Sequence, residues 1–291
     1  MLALVTALAV EGLDPDLEPI RSALHSGGVD VQIVSWDDQT VDWTRFDAAI
    51  LRSTWDYADR VEEFRAWIDR AAEATRLINS TSAVRWNIDK HYLLDLADAD
   101  VPIVPTAFVE LGAALPGLDP SIGVFVVKPA IGAGSNGARR CMPHEVAGHV
   151  QALRAAGFTA MIQPYMEMID DLAETSLVYL GAGADLVYDH AFSKAAILTV
   201  DYVEQEGALV ADEEIGGRAA TAAERALGDH VLACSPVRAL GPLAYARVDI
   251  VPTPSGPVLM ELELVEPSLY FESSAGSADR AALAWQRFAR C

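Results

Sequence analysis

Cysteine is nearly absent: Cys141, Cys234 and Cys291 are the three in 291 residues, with no C-x-x-C among them. An odd number without ligand spacing gives no disulfide framework and no zinc site. The six histidines form no H-E-x-x-H. Basic side chains are also scarce, 21 against 42 acidic, for a net charge of −21. That balance works against nucleic acid or an anionic membrane as a partner. The acidic residues are spread out, so solubility is their simplest role. Long apolar runs are missing too, each being broken by charge or proline before about eighteen residues. Met1-Leu2-Ala3-Leu4 lacks the basic start of a signal peptide. The expectation is a cytoplasmic protein with no membrane span, and a homo-oligomer is compatible with it.

The chain is 52% hydrophobic, enough to bury a large core in two or three lobes. Its first 80 residues alternate strand-like runs (2–8, 31–36, 47–52) with helical ones (14–27, 60–75), the pattern of a parallel α/β lobe. Val61, Phe64, Ile68 and Ala71 recur at helical spacing and belong to a core. Arg52, Ser53 and Thr54 follow a strand, where parallel sheets present ligand-binding loops. They fit a substrate contact or, equally, a helix cap beside a surface arginine. A central lobe spans 81–165, with a helix carrying Lys90 and another at 144–156. A last lobe spans 166–291, with strands at 174–181, 186–192 and 243–265 and helices near 221–233 and 278–290. The acidic stretch Asp201 to Glu214 reads as a solvated loop or a mobile one beside the site.

Residues 126–137, VVKPAIGAGSNG, carry the first chemical signal. A β-branched strand delivers Lys128 to a loop with Gly132, Gly134 and Gly137, which also satisfy G-x-G-x-x-G. The dinucleotide reading of that fingerprint fails on context. It needs a helix at the last glycine and an acidic residue about twenty positions on, whereas residues 138–141 look like a return strand and position 157 is glycine. Strand, glycine loop and strand suggest a hairpin folded over the phosphates of ATP, with backbone N–H groups and Ser135 toward the oxygens.

The second signal is LAYARVDIV (243–251) and PVLMELELVEP (257–267) around the turn PTPSG. A hairpin there sets Asp249 opposite Glu261 and Arg247 opposite Glu263, all four on one face, with Val248, Ile250, Met260, Leu262 and Leu264 on the other. Carboxylates crowded on one face repel unless a cation intervenes, and oxygen-only ligands suit Mg²⁺, with Mn²⁺ a substitute.

On these residues the chain resembles the ATP-grasp ligases over roughly its last two-thirds. In that likeness Lys90 of NIDKHYLLDL and Lys128 are ATP-binding lysines. MIQPYMEMI (161–169) resembles the hinge strand, where Gln163, Pro164, Tyr165 and Met166 frame adenine and Glu167 approaches the ribose. Arg247 resembles the phosphate-binding, catalytic arginine, and Asp249, Glu261 and Glu263 resemble the metal ligands; many relatives have asparagine at the last of these. Glu174 and Lys194 lie on the paired strands after the hinge. They are a nucleotide and a substrate contact respectively, or a solvated cross-strand pair. His190 is better read as packing. Tyr270 and Glu272 reach the substrate, or Tyr270 sits in the core.

RSTWDYADRVEEFRAWI (52–68) with NSTSAVRWNIDKHYLLDL (79–96) is similar to the O-ureido-serine cyclo-ligase type, which closes the ring of cycloserine. That likeness implies a small amino-acid-like substrate. Its carboxylate becomes an acyl phosphate that a nitrogen of the same molecule attacks. Intermolecular ligation, a metal-dependent phosphohydrolase and a noncatalytic nucleotide-binding regulator are the alternatives.

Overall fold

The computed structural model describes residues 1–134, 136–182, 185–198 and 214–289. Three sheets organise the chain. The first is all parallel, in the order β2 (Val31–Ser35), β1 (Leu2–Thr6), β3 (Ala48–Ser53), β4 (Arg76–Ile78). β1 and β3 are buried along their whole length, as apolar strands covered on both faces must be. Helices Leu17–Ser26 and Val61–Ala74 supply two of those covers. Phe64, Trp67, Ile68 and Ala71 form the buried stripe of the second helix, and Trp36 and Trp67 both pack on Phe64.

The second sheet is antiparallel: β5 (Ala107–Val109), β8 (Ala160–Pro164), β6 (Phe125–Pro129), β7 (Arg139–Cys141). The helix Val146–Ala155 buries Val146, Val150 and Leu153 in the same core. The third, also antiparallel, runs β11 (Ile215–Arg218), β10 (Asp185–Lys194), β9 (Glu174–Ala182), β12 (Tyr245–Val251), β13 (Val258–Glu263). The helix Ala222–Ala233 lies against it, its start fixed by a capping box in which Thr221 and Glu224 exchange hydrogen bonds.

The first and third sheets share one core. The helix Ser277–Trp285 buries Ala281, Ala282 and Trp285 among Leu2, Leu4, Ile20 and Leu24 of the first sheet's layer. The last helix of the chain thereby completes the first lobe.

Candidate active site

Between the sheets lies a cavity of about 360 Å³. Its glycine-loop wall is the hairpin of β6 and β7, joined by residues 130–138. No helix opens at the last glycine, so the dinucleotide fingerprint is absent in space as well as in context. Gly132 and Gly134 line the cavity. Gly137 holds φ +69°, and a Cβ there would stand 3.0 Å from Pro129 Cγ; both facts require glycine. Ser135 lies outside the described residues, as do positions 201–213 of the acidic stretch.

At the hinge, Gln163, Pro164, Tyr165 and Met166 all line the cavity. The Gln163 amide donates to Thr106 Oγ1 at 2.9 Å, and the Tyr165 hydroxyl donates to Asp170. Glu167 departs from expectation. It is exposed and does not line the cavity, because the chain turns outward after Met166 toward the helix Ile169–Leu172.

The third wall is the β12–β13 hairpin, where Arg247 pairs with Glu263 and Asp249 with Glu261. A bulge then matches Ile250 to Leu259 and leaves Met260 as the extra residue. Met260, expected on the face opposite the charged residues, instead lines the cavity with them, and Leu259 is the buried one. A one-residue insertion reverses the side-chain alternation.

Four cations meet four carboxylates in this region. Lys90 Nζ lies 2.9 Å from Glu261, which Lys128 approaches at 3.5 Å. Lys194 bridges Glu174 at 2.7 Å and Asp249 at 3.0 Å. Arg247 holds Asp249 at 2.8 Å, pairs with Glu263, and donates to the Ser268 carbonyl at 3.0 Å. Lys90 sits not on a helix but in the turn between Thr81–Asn87 and Tyr92–Asp98. There its backbone N–H donates to Ala130 and its ammonium to Gly132 O at 2.7 Å, tying it to the glycine loop. Glu174 and Lys194 do form the cross-strand pair, but both are largely buried rather than solvated.

These pairings set the charge states. Burial pushes Asp249 upward, but Arg247 and Lys194 outweigh it and hold the carboxyl well below the usual range. Glu261 feels the same burial and is drawn down to about 2 by Lys128 and Lys90. Glu263 goes the other way: burial, with Asp249 and Glu261 nearby, overcomes Arg247 and raises it. Burial also raises Glu174 against the pull of Lys194. Among the described residues no group of three His, Cys, Asp or Glu side chains converges closely enough to cage a metal ion.

Arg52, Ser53 and Thr54 are not in the cavity wall. All three have no exposed surface. Arg52 donates to the Pro267 carbonyl at 2.9 Å and lies over the rings of Tyr245 and Trp285. Ser53 donates to Thr6 Oγ1, and neither Ser53 nor Thr54 caps a helix with its side chain. The end of the parallel sheet is covered by the segment after β13, which the local sequence around Arg52 does not reveal. His190 is packing: in the interior its Nε2 donates to the Leu269 carbonyl at 2.9 Å and its Nδ1 lies 2.7 Å from the Asp189 carboxylate.

Residues not foreseen complete the cavity: Trp55 and Tyr57 from the first lobe, and Glu266 and Ser268 after β13, beside Tyr270. Glu272 is exposed and does not line it. The signal available for Glu266 was a carboxylate directly before proline in VEPSLY, downstream of the charged strand.

The family model for the D-cycloserine synthetase DcsG N-terminal domain matches residues 2–79. The cycloserine biosynthesis protein DcsG of Streptomyces lavendulae is 38% identical, with 98% of this chain and 97% of that protein covered. The crystal structure of D-cycloserine synthetase DcsG superposes with a TM-score of 0.87 at 35% identity, covering 98% of each chain. An ATP-grasp RimK domain protein from Sphaerobacter thermophilus shares the fold at 17% identity, with a TM-score of 0.63 over the whole of both chains. D-alanine–D-alanine ligase from Bacillus anthracis, solved with ATP, does so at 13% identity and 0.60, covering 99% and 94%. With its likeness extending from the first lobe to the last, the chain belongs to the D-cycloserine synthetase family, ATP-dependent carbon–nitrogen ligases of the ATP-grasp fold.

Proposed function

We propose that this enzyme closes O-ureido-D-serine to D-cycloserine, with 1–80, 81–165 and 166–291 as the lobes that enclose the reactants. The observation that carries this reading is the 38% identity to a cycloserine biosynthesis protein along nearly the whole of both chains. The cavity supports it with an end where lysines and an arginine meet carboxylates, an end framed by the hinge and an aromatic end.

The chemical problem is to bring a carboxylate against a triphosphate while both are anionic. Lys90, Lys128 and Arg247 lower that repulsion and meet the charge that spreads over the transferred phosphoryl group. Backbone N–H groups of the glycine loop face the phosphate oxygens, while Gln163, Pro164, Tyr165, Met166 and Met260 frame the adenine. Lys194 and Glu174 stand beside the phosphates.

A carboxylate oxygen of the substrate attacks the γ-phosphorus and ADP leaves. The ureido nitrogen then attacks the acyl phosphate carbon, phosphate departs, and the ring closes. Water hydrolyses the carbamoyl group on the ring nitrogen, giving carbon dioxide and ammonia. Because nucleophile and carboxylate belong to one molecule, folding it over supplies much of the rate through proximity.

In kind the donor set suits Mg²⁺, although the three carboxylates, each paired with a cation, do not converge as a cage in this structure and Asp249 lies behind the cavity wall. Asp249, Glu261 and Glu263 offer only hard oxygen atoms on one hairpin face, and neighbouring cations keep the first two ionised. These are the residues that would hold the ion, which would supply charge neutralisation for phosphoryl transfer.

The test is isotopic. With ¹⁸O in the substrate carboxylate, acyl phosphate formation delivers one ¹⁸O into the released phosphate. Phosphate without label excludes carboxylate activation by phosphoryl transfer.

A further inference from the structure

Of the four carboxylates that line the cavity among the described residues, three have a cation at hand. Glu174 has Lys194, Glu261 has Lys90 and Lys128, and Glu263 has Arg247. Glu266 has no ion pair within 4 Å among those residues. Lys90 acts on it from beyond that distance, and the hydroxyl of the buried Tyr57 stands beside it. A carboxylate drawn partly out of water with no cation in ion-pair reach is costly.

The backbone around Glu266 is pinned from three directions. Trp55 Nε1 donates to the Glu266 carbonyl at 3.0 Å, Arg52 to that of Pro267, and Arg247 NH1 to that of Ser268. The side chain is therefore presented from a fixed support, which is how a selective contact is built. Two aromatic residues of the first lobe, Trp55 and Tyr57, line the same end.

We propose that Glu266 receives the α-ammonium group of the amino-acid substrate and thereby decides which carboxylic acids the cavity accepts. The inference rests on the amino-acid reading above. A zwitterion whose carboxylate lies toward Arg247 and the lysines carries its own cation one carbon away. Among the described residues Glu266 is the lining carboxylate with no cation in ion-pair reach, Lys90 and Arg247 acting on it only from farther off, so a substrate ammonium can become its direct partner. In ring closure the α-nitrogen forms no bond, so a salt bridge to Glu266 keeps it protonated and out of competition with the ureido nitrogen. Carboxylate, ammonium and side chain, each held at its own place, also fix the handedness at Cα.

The test compares initial rates of ADP release for wild type, Glu266→Gln and Glu266→Asp. Each is given O-ureido-D-serine and its des-amino analogue, 3-(ureidooxy)propanoate. Wild type should favour the amino compound by about 100-fold in kcat/KM. E266Q should lose that preference through KM, with kcat and the KM for ATP little changed, and should treat the des-amino analogue as wild type does. E266D should recover part of the preference. Equal losses on both compounds, or an unchanged KM for the amino compound, overturn the proposal. If the variants do not fold, the wild-type ratio decides alone, and a ratio near one overturns it. If wild type ignores O-ureido-D-serine, the cyclisation reading falls. The comparison is then run with whichever α-amino acid drives ADP release and its des-amino counterpart. No release with any α-amino acid overturns both readings.

Discussion

Arg52 and Pro267 are joined by a hydrogen bond of 2.9 Å that spans 215 positions and ties the end of β3 to the segment lining the cavity. The guanidinium is fully buried, with Asp16 3.8 Å away. Asp16 in turn accepts the backbone N–H groups of Leu269, Tyr270 and Phe271. Arg52→Ala removes one member of a buried pair and should cost about 3–5 kcal/mol. Urea unfolding measures this, and a midpoint equal to wild type would show that the pair carries no stability.

Lys128 should matter for turnover and little for folding. It is mostly covered but makes one ion pair among the described residues, at 3.5 Å. Lys128→Ala should reduce kcat/KM at least about 100-fold while the melting temperature moves by no more than about 2 °C. Near-normal activity would remove this lysine from the phosphate site.

Gly137→Ala places a Cβ on a residue at φ +69° and against Pro129. Strain of about 1–3 kcal/mol is expected, felt by the glycine loop assigned above to the phosphates by proposal. The variant should bind ATP more weakly, read as a raised KM for ATP with the hinge residues untouched. An unaltered KM would mean that the loop conformation is not the one used.

How far the sequence carried differs from one element to the next. The facing of Arg247 with Glu263 and of Asp249 with Glu261 was legible, because a turn and a period of two determine it locally. The bulge at Met260 was not, since one extra residue leaves the composition unchanged. Lys90 was recognisable as a residue but not as a turn position held by Ala130 and Gly132. Arg52 was misplaced because its partners, Pro267 and Trp285, come from the far end of the chain. Glu266 escaped notice for the same reason. Its meaning comes from Trp55 and Tyr57, about two hundred positions earlier.

Glu266 also predicts a pH dependence of the free protein. Burial raises its pKa to about 7, with Lys90 and Tyr57 opposing, so the folded state holds its proton more tightly than the unfolded chain. The stability this contributes is full below the unfolded value of about 4.5 and is lost as pH rises through about 7. Glu266→Gln should therefore melt higher than wild type at pH 8, with the difference shrinking toward pH 5. A difference that does not vary with pH would show that the carboxyl does not titrate in this range.

Divalent cation removal should silence the reaction without unfolding the chain. With EDTA in excess, ADP formation should fall to background while the melting temperature of the ligand-free protein holds. Restored turnover with Mg²⁺, and with Mn²⁺ in its place, would fit the all-oxygen set of Asp249, Glu261 and Glu263. Full activity in EDTA would exclude it.

Ring closure is measured most directly by mass spectrometry of the products from ATP, Mg²⁺ and O-ureido-D-serine. D-Cycloserine and ADP are expected in equal amounts, with phosphate, carbon dioxide and ammonia. ADP formed together with a linear amide, or no cycloserine at all, would contradict ring closure.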